Sequence, residues 1–281
     1  MIDCSICNSD EPVDQIIDCM KIVDLIDKEI DKEKDTKTLN LDMSSIDWLT
    51  PFSALILSSK IVQCIPRFNR IDINAPKNSN VRAYMVSIGF PLGKKEKGYS
   101  YSPISHFNKD ANKAANEVFE VIDSTFPNEL KGSVVKFILS EFCDNVEQHS
   151  AFTYASIMAQ YYKTKNFVDI GIIDNGISIP RVFEKNKIEF KEDAEAIDKA
   201  LHGLSTKSEG GRGKGLISTN LIVEKGLKGQ FYIVSREGMV VTGHGHNRKL
   251  YKFQNCSLKG TLGYIRFEVP KKEVNLYLYL K

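Results

Sequence analysis

The chain has 281 residues, 42% of them hydrophobic and 26% charged, with a net charge of +2. That length accommodates two domains of ordinary size, and so small a net charge gives no electrostatic reason to expect nucleic acid or a membrane surface as partner. No apolar run approaches the roughly 18 residues of a membrane-spanning helix. The opening Met1-Ile-Asp-Cys-Ser-Ile-Cys lacks the basic and apolar regions of a signal peptide, so a cytoplasmic location is expected.

Residues 13–34 carry apolar side chains at helical spacing among acids and lysines, which predicts an amphipathic helix. Cys4 and Cys7 form a lone close pair, read as two unconnected thiols near a frayed terminus rather than half of a zinc site. Thr38-Leu-Asn-Leu-Asp-Met predicts a strand, and Pro51 suits the first turn of a following helix. Arg70-Ile-Asp-Ile-Asn predicts a second strand, and Asn80 is expected to cap a short helix closed by Gly89. The turn-rich polar stretch 93–105 marks a domain boundary, dividing residues 1–100 from 106–281. Beyond it, helices are expected near 108–123, 130–149, 191–202 and 214–225. Strands are expected at 154–162, 167–173, 230–235, 239–242, 249–254 and 261–269. Such an order predicts an α+β layered sandwich.

Three short motifs in the second half carry chemistry. Residues four apart share a helix face, which aligns Glu141, Asn145 and His149. At about 100° per residue this trio borders the apolar stripe Val135, Ile138, Leu139, Phe142 and Val146, at the rim of the core where a pocket can form. The Asn145 amide oxygen suits magnesium, which keeps most of its waters and takes few protein ligands. Glu141 is placed to orient or deprotonate a water, and His149 to reach a phosphate. An amphipathic helix with a polar rim is the bland alternative.

Phe167-Val-Asp-Ile-Gly-Ile-Ile reads as a buried strand broken by Asp174-Asn-Gly176-Ile-Ser-Ile179-Pro. Asp174 can accept a hydrogen bond from an adenine amino group, whereas guanine presents a carbonyl there. Gly176 lets the backbone pass close to a flat ligand. The alternative is an ordinary Asx-type turn. Gly211-x-Gly213-x-Gly215 then opens a helical pattern, with Arg212 and Lys214 adding charge and Leu216 following. Its backbone N–H groups and the helix start can bind phosphate. It is neither a P-loop, since Lys214 precedes a glycine rather than Ser or Thr, nor a Rossmann loop, since no buried strand leads into it. A mobile lid and a plain linker both fit. Thr261, in a turn entering the last strand, offers a hydroxyl to the same network. His244 and His246 are read as part of a hairpin loop.

In this order and spacing the motifs resemble those of the GHKL ATPases, the family of gyrase B, Hsp90, histidine kinases, MutL and the anti-sigma-factor kinases. Glu141 and Asn145 match its N box, Asp174-x-Gly176 its G1 box, Gly211-x-Gly213-x-Gly215 its G2 box, and Gly260-Thr261 its terminal Gly-Thr. The resemblance covers about 106–281 and implies a Bergerat fold, with ATP held between a helix layer and a lid. It implies that Asn145 holds Mg2+, that Asp174 reads adenine and that the glycines wrap the phosphates. Ile179, Arg212, Lys214, Leu216, His149 and Thr261 complete the implied nucleotide site, with Glu141 as base. Leu39-Asn-Leu-Asp-Met-Ser-Ser-Ile-Asp-Trp-Leu-Thr-Pro-Phe-Ser-Ala-Leu resembles the strand, loop and helix of the STAS domains of anti-sigma-factor antagonists. Pro51, Phe52 and Ser53 stand where that family often carries a phosphorylatable serine before a glycine, which favours binding or scaffolding over a phosphoswitch. The expectation is a Mg-dependent, ATP-hydrolysing regulatory protein acting on a protein partner, with a homodimer compatible. A serine/threonine kinase of the anti-sigma type and a non-catalytic ATP-binding module are the alternatives.

Overall fold

The computed structural model describes residues 1–32, 38–92, 100–203, 215–243, 245 and 248–280. Gly211, Arg212, Gly213, Lys214, His244 and His246 lie outside the described residues, as does the side chain of His149. Among the described residues the fold is mixed α/β, with one parallel sheet of three strands and one antiparallel sheet of seven.

The first sheet is built from β1 (Ile2–Asp3), β2 (Thr38–Asp42) and β3 (Arg70–Asn74), in that spatial order. The N-terminus is therefore not frayed: β1 pairs in parallel with β2, and Cys4 and Cys19 are buried. Helix α1 (Pro12–Lys32) buries the apolar face that its periodicity announces, including Ile16, Met20, Val23 and Ile26. Helix α2 (Pro51–Cys64) starts on Pro51 and is buried nearly all round, with Ser53, Ser58, Ser59 and Lys60 among its buried residues, as in a helix enclosed on several sides. Helix α3 (Ser79–Ser87) is capped by Asn78, whose side chain accepts from Asn80 N at 3.0 Å, so the cap lies two residues before the one the sequence suggested.

The second sheet has the order β4-β5-β6-β10-β7-β8-β9. Its strands are β4 (Tyr101–Phe107), β5 (Ala155–Tyr162), β6 (Phe167–Asp174), β7 (Gln230–Arg236), β8 (Gly238–Gly243), β9 (Lys249–Lys252) and β10 (Leu258–Glu268). Strand β4 was not expected, and it begins inside the stretch read as a boundary. It is an edge strand carrying Pro103, with a register shift between Ser102 and Ser105, the setting in which a sheet tolerates proline. His106 sits on this strand. Its Nε2 donates to the Pro91 carbonyl at 3.0 Å and its Nδ1 lies 2.8 Å from Ser156 Oγ. Burial lowers its pKa and holds the ring neutral.

Alternation along the strands gives this sheet two buried faces. On one face Ile157, Val168, Ile170, Ile172, Phe231, Ile233, Ile265 and Phe267 pack against α4 (Ala111–Thr125), α5 (Ser133–His149) and α7 (Asp193–Leu201). On the other, Met158, Ile173, Tyr232, Val234, Leu262 and Tyr264 join the core of the first 90 residues. Helix α2 thus lies between the two sheets. Phe52 meets Tyr264 edge-on at 4.9 Å. Gly171 makes the close approach feasible, because a β-carbon there would come within 2.8 Å of Leu55 Cδ1 and 2.9 Å of Tyr264 Cδ2. No helix among the described residues is long and apolar enough to cross a membrane.

Candidate functional site

On the helix-covered face, the side chains between α5, β6, β7 and β10 leave a cavity of about 160 Å³. Asn145, Asp174, Ile179, Leu216 and Thr261 all line it, joined by Phe142, Ser150, Ile177, Phe231 and Ile233. The sheet explains the convergence. Thr261 of β10 pairs directly with Asp174 of β6 on one side and with Ser235 of β7 on the other. Helix α5 lies across these strands with its whole expected stripe buried (Val135, Ile138, Leu139, Phe142 and Val146), and Phe142 stacks on Phe231 at 5.9 Å. Glu141 and Asn145 are half-buried at the edge of that stripe, as their spacing implied.

Asp174 ends β6 and is 3% exposed. Its Oδ1 accepts from Gly176 N at 2.7 Å. Burial pushes its carboxyl up to about 7, against the opposing pull of Gly176 N–H, the Ser150 hydroxyl and Thr261 N–H. A carboxyl in this state gains from any further donor, since a hydrogen bond to the ionised form offsets part of the desolvation.

Gly176 is constrained by a tertiary neighbour. A β-carbon there would fall on the Ser150 carbonyl, so this glycine lets the turn close onto the end of α5. Ile177 N donates to the same carbonyl. Asn175 points away from the cavity. Its Oδ1 accepts from Thr153 N and Tyr154 N, both at 3.0 Å, fixing the turn to the α5–β5 connection. Gly260 has φ +91°, and a side chain there would strike the Asp174 carbonyl, so the residue before Thr261 is confined to glycine on two counts.

Ser235, which the sequence motifs do not include, ties three parts of this region together. Its hydroxyl donates to the Gly260 carbonyl at 3.0 Å and accepts from Ile179 N at 3.0 Å. A hydroxyl has one proton. Thr261 Oγ1, also 3.0 Å away, must therefore donate to Ser235, which leaves the Thr261 lone pairs for the cavity. One signal existed: at period two, Ser235 shares a face with Phe231 and Ile233, a polar residue at an inward position of a buried strand.

Ile179 opens helix α6 (Ile179–Lys185), which is capped by the Ser178 hydroxyl accepting from Arg181 N at 3.3 Å. Val182 and Phe183 of α6 complete that wall. At the other end, Gly215 begins helix α8 (Gly215–Leu221) directly against Glu141, where a β-carbon would collide with the carboxylate. Burial and the charge of Asp144 raise the pKa of Glu141. His149 is the last residue of α5. The structure thus brings Glu141, Asn145, Asp174, Ile179, Gly215, Leu216 and Thr261 to one place, while 211–214 fall outside the described residues.

The arrangement offers an apolar slot with one acidic acceptor at its base, a carboxamide on its wall and a carboxylate with a helix start at its mouth. No protein-family model matches the chain, and no curated protein matches it significantly.

Proposed function

We propose that the chain is an adenine-nucleotide-binding regulatory protein of the Bergerat, GHKL type, hydrolysing ATP with magnesium, and that residues 1–100 form a STAS-like unit for a protein partner. The observation that carries this reading is the convergence of Asp174, Asn145, Ile179, Leu216 and Thr261 on one cavity, with Glu141 held at Gly215 beside it. The cavity suits a base, bounded by Phe142, Ile177 and Phe231. Asp174 keeps one carboxylate oxygen on Gly176 N and offers the other to the 6-amino group. Thr261, with its proton committed to Ser235, adds an acceptor nearby. Sugar and phosphates would run along α5 toward Gly215.

A single half-buried amide at the wall is a donor set suited to Mg2+, an ion that retains waters and takes phosphate oxygens. Asn145 would hold that ion, which would neutralise phosphate charge. Glu141 would then take a proton from the water that attacks the γ-phosphorus as the bond to ADP breaks. Its raised pKa strengthens it as a base while requiring a pH at which it is ionised.

The sheet offers a route from nucleotide to partner. Ile172 and Ile233 line the cavity, while their neighbours Ile173 and Val234 pack into the core shared with α2. A strand displaced on one face is displaced on both. ATP can bias that coupling only by its differential affinity for the two arrangements. Ser53, on the helix where an antagonist would carry its phosphoserine, is 0% exposed and donates to Gln15 Oε1 at 2.8 Å, which favours a scaffolding role for this unit.

Incubation with ATP labelled on the γ-phosphate and Mg2+ tests the reading. Label released as phosphate supports hydrolysis, and label retained on protein transfers the support to the kinase alternative. Absence of any Mg-ATP binding by calorimetry would overturn the proposal.

A further inference from the structure

On the opposite face of the large sheet, a second cavity of about 340 Å³ opens between β5, α3 and the connection from β2 to α2. Its volume falls in the range of small-molecule sites, about 300–1,000 Å³, and far exceeds the ~10–15 Å³ that one water requires. Trp48, Tyr84 and Tyr162 supply aromatic walls, with the rings of Trp48 and Tyr162 6.3 Å apart.

The polar atoms are what set this cavity apart. Trp48 Nε1, Tyr84 Oη and Gln160 Oε1 are each buried, and none has a hydrogen-bond partner among the described residues. All three residues line the cavity. Gln160 is 7% exposed, and its amide nitrogen is already used on the Ser100 carbonyl at 3.0 Å, so its oxygen is the atom left over. Buried polar groups without partners cost about 1–3 kcal/mol each. Three of them around one space make a donor, an acceptor and a hydroxyl that serves as either. The one charged lining residue, Asp47, is exposed at the rim, so the buried polar atoms of the cavity carry no charge. The nearby Arg266 is engaged by Asp169 through two hydrogen bonds of 2.8 Å.

We propose that this cavity binds a small, neutral, planar heteroaromatic ligand of the cyclic-amide or pyrimidine-base class. Stacking falls to Trp48 and Tyr162, and the donor and acceptor edge to Trp48 Nε1, Tyr84 and Gln160. The ligand bridges the two layers, since Trp48 lies in the connection from β2 to α2, Tyr84 on α3, and Gln160 on strand β5 of the second sheet. This proposal is independent of the nucleotide reading, because the two cavities lie on opposite faces.

Trp48 is the chain's only tryptophan, so its emission reports on this cavity alone. Uracil, cytosine and nicotinamide are titrated separately into the full-length protein. A saturable emission change is expected with at least one of them, together with a midpoint raised about tenfold in Tyr84→Phe, which removes only the hydroxyl. Gln160→Met serves as second variant, with the same expected weakening, should the first fail to fold. A linear or absent response to all three probes, or a midpoint untouched by either folded variant, would mean that the cavity holds ordered water only and would overturn the proposal.

Discussion

Replacing Asp174 by asparagine separates what this carboxyl does for a ligand from what it does to the fold. Burial raises its pKa from the ordinary 3.8 to about 7. At 1.36 kcal/mol per pKa unit, ionising it in the folded protein costs about 4 kcal/mol more than ionising it in the unfolded chain. The sign follows from proton binding. Below about pH 4 both states are protonated and the cost vanishes, and between about pH 4 and about pH 7 the unfolded chain releases a proton that the fold retains, so stability is lost as pH rises. Asparagine does not titrate. Its loss of the hydrogen bonds from Ser150 and Thr261 N is an offset that pH leaves unchanged. The stability difference between variant and parent is therefore expected to move by about 3 kcal/mol in favour of Asp174→Asn between about pH 5 and about pH 8. Urea unfolding across that range measures it. In the same variant an amide NH2 meets the adenine amino group donor to donor, and Mg-ATP affinity is expected to fall about ten- to a hundredfold. A stability difference flat with pH would refute the desolvated setting of Asp174. Unaltered affinity would refute its contact with the base.

Other variants probe other parts of the site. Glu141→Gln keeps shape and removes the base, so turnover should drop by about 10²- to 10⁴-fold at unchanged ATP affinity, read by phosphate release and calorimetry side by side. Asn145→Ala should abolish the magnesium dependence of ATP binding, and identical titrations with Mg2+ and with EDTA in the parent would remove the basis for that role. Gly171→Val drives a side chain into Leu55 and Tyr264 and should cost about 1–3 kcal/mol of stability by overpacking. Cooperative unfolding at the parental midpoint would show that α2 does not pack on this strand as described.

Much of this site was legible because its residues sit on strongly periodic elements. The stripe of α5 fixed which side chains face inward, and so placed Glu141 and Asn145 at its border. Asp174 was legible as the polar stop at the end of the apolar strand 167–173. Local pattern could not reveal the pairing of Thr261 with Asp174 and Ser235, which is a matter of sheet order between distant segments. The constraint on Gly176 was hidden for the same reason: it comes from the Ser150 carbonyl, a tertiary neighbour. Strand β4 escaped notice because Ser102, Pro103 and Ser105 break the alternation, and an edge strand with a register shift can afford them. The most consequential hidden feature is the position of α2. The sequence marks its start at Pro51, but that the second sheet covers it is visible only in tertiary contacts, the edge-on meeting of Phe52 with Tyr264 and the close approach at Gly171.

Selection of an adenine nucleotide by the cavity at Asp174 can be read from calorimetric titration of the full-length protein with Mg-ATP and then with Mg-GTP. Asp174 can accept from the amino group of adenine and would confront the carbonyl of guanine, so saturable binding of ATP with GTP binding at least tenfold weaker is the expected result. Equal affinity for the two nucleotides, or no heat with either, would rule out adenine selection by Asp174.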